Sequence, residues 1–145
     1  MILIDANLLL YAHQRGSEFA ELAGDWLERT FNGHEPIGLA WTVILAFLRI
    51  STHPQVYRIS YTAAESTAVV ATWIERPNVT VLTPTERHWE LFSRLVREAQ
   101  ATGDLIMDAH LAALAMEYGA ILYTTDRDFS RFSGVRTVNP LKNPR

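Results

Sequence analysis

The chain has no cysteine, which excludes disulfide frameworks, CxxC redox pairs, thiolate nucleophiles and cysteine-ligated zinc together. It also has almost no lysine. Of its 13 basic residues only Lys142 is one, and the rest are arginine. Arginine suits bidentate contact with phosphate or carboxylate, although a GC-rich genome produces the same bias. Proline (6) and glycine (7) are too sparse for a linker-rich or collagen-like chain. Long apolar runs are missing too: the longest nearly apolar one, Leu39 to Leu48, is about half of the ~20 residues a membrane-spanning helix needs. The opening MILIDAN lacks a basic n-region and carries an acid at position 5, so no signal peptide is expected and the cytoplasm is the expected address. There is no excess of positive charge either. The formal net charge is -3 and the pI about 5.9, which does not advertise nucleic-acid binding. No GxxxxGK[ST], GxGxxG or GxSxG motif occurs.

What remains is the profile of one globular domain over residues 1–145. The chain is 48% hydrophobic and 20% charged with a mean hydropathy of +0.01, and it has no internal repeat. Ile2-Leu3-Ile4 is a continuous apolar run, as in a strand covered on both faces, and it ends at Asp5. Leu8 to Tyr11 predicts a short helix. Ser17 is placed to cap the next one, whose residues Phe19, Leu22, Ala23, Trp26 and Leu27 recur at helical spacing before Gly33. Pro36 to Ala40 predicts a second strand, and Thr42 to Ser51 an apolar helix closed by His53-Pro54. Thr62 to Glu65 forms a capping box for a helix that carries Val69, Val70, Trp73 and Ile74 and stops at Pro77-Asn78.

Val79 to Leu82 predicts a third strand. Thr83-Pro84-Thr85-Glu86 reads as a second capping box, opening a helix with Trp89, Phe92 and Val96 inward that runs to about Ala101. After Gly103 a long helix is expected from Asp104 to Tyr118, stopped by Gly119. Ala120 to Thr124 and Val135 to Val138 complete the strands, the last at an edge. Helices alternating with strands that lack a polar face predict a three-layer α/β/α sandwich around a mainly parallel sheet of four to five strands.

In such a sheet ligands bind at the carboxyl ends of strands where the crossover order reverses. Asp5 and Asp126 stand at strand ends, and Asp108 lies inside an otherwise apolar helix, one turn after Asp104. Four of the acids have a purely structural explanation: Asp104 as a helix cap, Asp128 in an Asx-turn, Asp5 capping the short helix through the N–H of Asn7 or Leu8, and Asp108 neutralised by Arg49 or Arg127. Asp108 resists most, because aspartate is a poor residue inside a helix. If Asp5, Asp108 and Asp126 converge, each like-charged pair at ~4 Å costs on the order of 4 kcal/mol at an effective dielectric near 20. A counter-ion or a proton must relieve that. Oxygen donors without histidine or cysteine favour Mg²⁺ or Mn²⁺, which prefer phosphate oxygens as further ligands, and this points to phosphoryl-ester chemistry by a metal-activated water. His13, His34, His53, His88 and His110 are scattered without an HxH or HxxxH pair and read as core or supporting residues. Trp41, Phe47, Trp73, Trp89 and Phe92 sit at apolar-face spacing and are expected in the core rather than as base-stacking platforms.

The segments ILIDANLLLYA, WTVILAFLRISTHP and DAHLAALAMEYGAILYTTDRDF, in this order, resemble the PIN-domain ribonucleases, and more closely the VapC toxins of type II toxin–antitoxin modules. The resemblance runs from Ile2 to Pro140. It implies a metal-dependent endoribonuclease, a homodimer, and a VapB antitoxin that blocks the site. It also implies metal-binding and catalytic roles for Asp5, Asp108 and Asp126, with Asp128 and Asn7 in support. The glutamate that most PIN domains carry after the second strand falls at Ala46 here, and Asp104 is the candidate to fill in. Arg49, in the FLR segment, reads either as a phosphate clamp or as a partner for a buried carboxylate. The alternative function is a catalytically weakened PIN-like protein that binds RNA or antitoxin. Phosphotransfer on Asp5 is disfavoured, because Asn7 stands where such enzymes place a second aspartate and no suitably placed lysine exists.

Overall fold

A computed structural model describes residues 1–14, 16–56 and 60–142. Among them the strands are β1 (Ile2–Ile4), β2 (Ile37–Ala40), β3 (Val79–Leu82), β4 (Ile121–Tyr123) and β5 (Thr137–Val138). The helices are α1 (Ala6–His13), α2 (Glu18–Asn32), α3 (Trp41–Ser51), α4 (Ala63–Ile74), α5 (His88–Ala99) and α6 (Leu105–Glu117), with a 3-10 turn over Arg127–Arg131. The strands form one sheet in the order β3-β2-β1-β4-β5, and every pairing is parallel. Helices flank this sheet in a three-layer α/β/α arrangement, as the alternation of elements implied.

The apolar runs explain the layering. Leu3, Ile4, Ile37, Leu39 and Leu122 are fully buried, so the central strands are covered on both faces. Gly38 in β2 is tied to this packing: a methyl group there would meet Leu82 Cδ1 at 2.6 Å and Leu82 Cγ at 3.0 Å. Beneath α3 and α4 the rings of Phe47 and Trp73 meet edge to face at 4.7 Å, with Phe31 stacked on Trp73 at 6.3 Å.

The local signals hold at most boundaries. Ser17 Oγ accepts from Phe19 N at 3.2 Å, and the Thr62–Glu65 capping box is complete, at 3.1 and 3.0 Å. Gly119, in the left-handed region at φ 61°, ends α6.

Three expectations fail. Thr83 to Glu86 does not cap α5, because the helix begins only at His88, beyond that segment and without a side-chain cap, while the Thr85 N–H and hydroxyl within it bond Glu117, at 2.9 and 2.6 Å. Trp89 is 74% exposed and Trp41 53% exposed, because each sits at the first turn of its helix on the outward side. The edge strand β5 is only Thr137–Val138, shorter than Val135 to Val138.

Candidate metal centre

The chain leaves β1 toward β2 and β3, then returns to place β4 on β1's other side. The strand order therefore reverses between β1 and β4, and their carboxyl ends frame the crevice where parallel sheets hold ligands. The Asp5 N–H donates to the Tyr123 carbonyl at 3.0 Å, so the two ends are stitched together.

Asp5 is the N-cap of α1, in extended backbone conformation, and its Oδ1 accepts from Ala6 N at 2.7 Å. Its Oδ2 accepts from the Thr124 hydroxyl at 2.7 Å and from Asn7 Nδ2 at 3.3 Å. Thr124, buried at the end of β4, also accepts from Asp126 N at 3.0 Å. Asn7 Oδ1 receives the Thr125 N–H at 3.5 Å, which ties the loop after β4 back to α1. Asp126 Oδ1 accepts from Asp128 N at 2.8 Å, so the Asx-turn belongs to Asp126, and Asp128 is the residue it turns into place.

Asp108, half-buried in the first turn of α6, faces this loop. Carboxylate oxygens of Asp108, Asp126 and Asp128 lie within 4.8 Å of one another. Burial and the charges of Asp126, Asp5, Asp128 and Asp104, in that order, push the Asp108 carboxyl up to about 6. Burial, with a further push from Asp126, also raises Asp5, while the hydrogen bonds from Thr124 and Ala6 hold it back. No arginine or lysine among the described residues comes within ion-pair distance of these five carboxylates. No ion pair among the described residues offsets the repulsion, and an all-oxygen donor set of this kind fits a hard divalent cation.

Asp5 lies beside the tight triplet and acts on it through charge. Asp128, expected in support, is inside it. Asp104 occupies the N-cap position of α6 without any capping bond, because its backbone is already helical (φ -62°, ψ -26°). Its carboxylate is exposed and reaches Asp108 only through its charge. Arg49 is exposed in the last turn of α3 and pairs with no carboxylate among the described residues, which removes its reading as a partner of a buried acid. Arg127 likewise does not neutralise Asp108. No histidine joins the acidic group among the described residues.

Two features escaped the sequence. Thr124 is the hub of the strand-end network, and its one signal was a hydroxyl residue ending an apolar strand just before an aspartate. The other is a linked set between α5 and α6. His88 Nδ1 meets the enclosed Glu117 carboxylate, and His88 Nε2 meets His110 Nδ1 at 3.0 Å.

A family model described as the PIN domain matches residues 2–135, so the chain belongs to the PIN-domain family. Its relatives narrow this further, placing it in the VapC ribonuclease branch. Ribonuclease VapC37 of Mycobacterium tuberculosis is 36% identical over 140 residues, covering 97% of this chain and 97% of that one. Ribonuclease VapC33 of the same species is 37% identical over 142 residues, covering 98% and 99%. Among solved structures, VapBC-1 from nontypeable Haemophilus influenzae superposes with a TM-score of 0.71 at 15% identity, covering 99% of this chain and all of that chain, which supports the PIN fold.

Proposed function

We propose that this chain is the endoribonuclease toxin of a VapBC-type module, and that the strand-end carboxylates hold Mg²⁺ or Mn²⁺. The observation that carries this reading is the convergence of Asp108, Asp126 and Asp128 within 4.8 Å with no arginine or lysine in ion-pair contact with them among the described residues. Asp108, Asp126 and Asp128 would ligate the ion, and Asp5 would complete the negative field. When bound, such an ion activates water as a nucleophile and neutralises charge on a phosphodiester.

The residues around the cluster do the positioning. Thr124 and Asn7 fix the rotamer of Asp5, and the Thr124 hydroxyl anchors the backbone of Asp126. The Asx-turn of Asp126 presents Asp128 toward the same point. Asp104 adds charge at the rim. Arg49, exposed and unpaired among the described residues, suits a phosphate contact. Ala46 offers no donor, but three carboxylates meet without it, which favours catalysis over a binding-only role.

The names of the relatives and solved neighbours support a VapB-type antitoxin as partner, and the same reading makes the chain a cytoplasmic homodimer. Among the described residues no helix is long and apolar enough to cross a membrane. The test is cleavage of single-stranded RNA by purified protein with Mg²⁺, with Mn²⁺ or with EDTA, beside Asp126→Asn. Cleavage that needs the metal and vanishes in the variant is expected. Equal cleavage in EDTA, or by the variant, contradicts the reading.

A further inference from the structure

A cleft of about 380 Å³ opens beside Asp126 of the acidic cluster, between the end of β4 and the short edge strand β5. Its volume falls in the roughly 300–1,000 Å³ range of sites that seat small organic ligands. Thr124 and Asp126 form the wall it shares with the metal centre, and Arg127, Thr137, Asn139 and Lys142 are among the residues that form the rest. The two walls differ in charge. Asp126 belongs to the carboxylate group, whereas Arg127 and Lys142 are exposed and pair with no carboxylate among the described residues. Lys142 is also the only lysine of the chain.

Asn139 is held in a defined orientation. Its Oδ1 accepts from Leu141 N at 3.0 Å, which leaves the Nδ2 donors without a protein acceptor among the described residues. A lone fixed amide donor in a polar cleft, with no aromatic ring in its lining, recognises by hydrogen bond rather than by stacking. An extended polyanion whose reacting phosphate sits at the carboxylates must lead into the space beside them, and this space offers cations just past the acids.

We propose that this cleft seats the nucleotide adjoining the scissile phosphate of an RNA strand, with Arg127 and Lys142 on the neighbouring phosphate and Asn139 Nδ2 on an acceptor of the base. The inference rests on the ribonuclease reading above and adds to it a subsite that sets which nucleotide flanks the cut. Arg127 and Lys142 are binding residues here, and Asn139 is a specificity residue.

Binding is measured first, in EDTA, by fluorescence anisotropy of a fluorescein-labelled twelve-nucleotide single-stranded RNA pool. The wild type is compared with Arg127→Ala/Lys142→Ala and with Arg29→Ala, a charge control on the other end of the sheet beside Ile2 and Glu35. The double variant is expected to bind at least fivefold more weakly than both. Its dependence of log Kd on log salt should be shallower by about 0.7 for each phosphate it no longer neutralises. A smaller loss, or an equal loss in Arg29→Ala, overturns the phosphate assignment. This arm needs no cleavage, so a failure of the ribonuclease reading would show separately as intact binding without metal-dependent cutting. The cut-site profile of the same RNA pool with Mn²⁺ then tests the base contact. Asn139→Ala should alter nucleotide preference at one position beside the cut. An unchanged profile overturns the role of Asn139. All these side chains are exposed, and thermal unfolding of each variant checks that it folds as the wild type does.

Discussion

Replacing Asp108 by asparagine should stabilise the metal-free protein at neutral pH and leave its stability unchanged near pH 4. The Asp108 carboxyl is pushed from its ordinary 3.8 to about 6 by burial and by the charges of Asp126, Asp5, Asp128 and Asp104. A rise of that size corresponds to about 3 kcal/mol at 1.36 kcal/mol per pH unit. The group is half-buried, so solvent screening reduces this to about 1–1.5 kcal/mol. The sign follows from proton uptake. With a folded value above the unfolded one, the folded state holds the proton more tightly, so stability falls as pH rises from about 4 to about 6 and the penalty is complete above that. Asparagine cannot ionise, so the penalty disappears.

For a chain of this length the gain corresponds to about 3–5 °C in Tm. Thermal unfolding by circular dichroism in EDTA, at pH 4, 5, 6 and 7.5, reads it directly. With Mn²⁺ at a hundred times its Kd the order should reverse, since the wild type alone gains about 2.7 kcal/mol from binding. A variant less stable than wild type at pH 7.5 without metal would defeat this expectation. Asp108 would then be held by an attractive partner rather than by crowded like charges.

Three further substitutions test the frame around the site. Thr124→Val keeps the shape but removes the donor to Asp5 Oδ2 and the acceptor of Asp126 N, so RNA cleavage should fall at least tenfold while Thr124→Ser retains it. Glu117→Gln loses a charged acceptor of the Thr85 N–H, the Thr85 hydroxyl and His88, at a cost of about 1.5–3 kcal/mol in urea unfolding. His88 and Thr85 hold the Glu117 carboxyl below its ordinary range against the opposing effect of burial. Its stabilisation is therefore complete above the unfolded value and lost as pH falls through the folded one, and the variant should show no such loss. Gly38→Ala forces a methyl group against Leu82 and should cost about 1–3 kcal/mol by the same measurement.

Much of the frame was legible because its signals are local. The β-strands announce themselves as short apolar runs, and Asp5 and Asp126 stand after two of them, so the acids at strand ends followed from pattern alone, whereas the strand order that sets β1 beside β4 did not. Asp108 was conspicuous as an ionisable residue inside an apolar helix. Contacts distant in sequence were not legible. Thr83 to Glu86 looked like a capping box, yet the Thr85 hydroxyl within it bonds Glu117 on α6, and the His88–His110 link likewise joins two helices with no shared motif. Trp89 and Trp41 failed for a different reason. Helical spacing identifies a face, but at a first turn the neighbouring elements decide whether that face is covered, and here both rings remain exposed. Asp128 was undervalued because only the Asx-turn of Asp126, a feature of the folded loop, turns it toward Asp108.

Anomalous diffraction from crystals grown with Mn²⁺ would locate the ion itself. One or more peaks bonded to carboxylate oxygens of Asp108, Asp126 and Asp128 are expected, absent in crystals of Asp126→Asn. A map without a peak there, or with the ion elsewhere and these carboxylates unmoved, would overturn the metal assignment on which the ribonuclease reading stands.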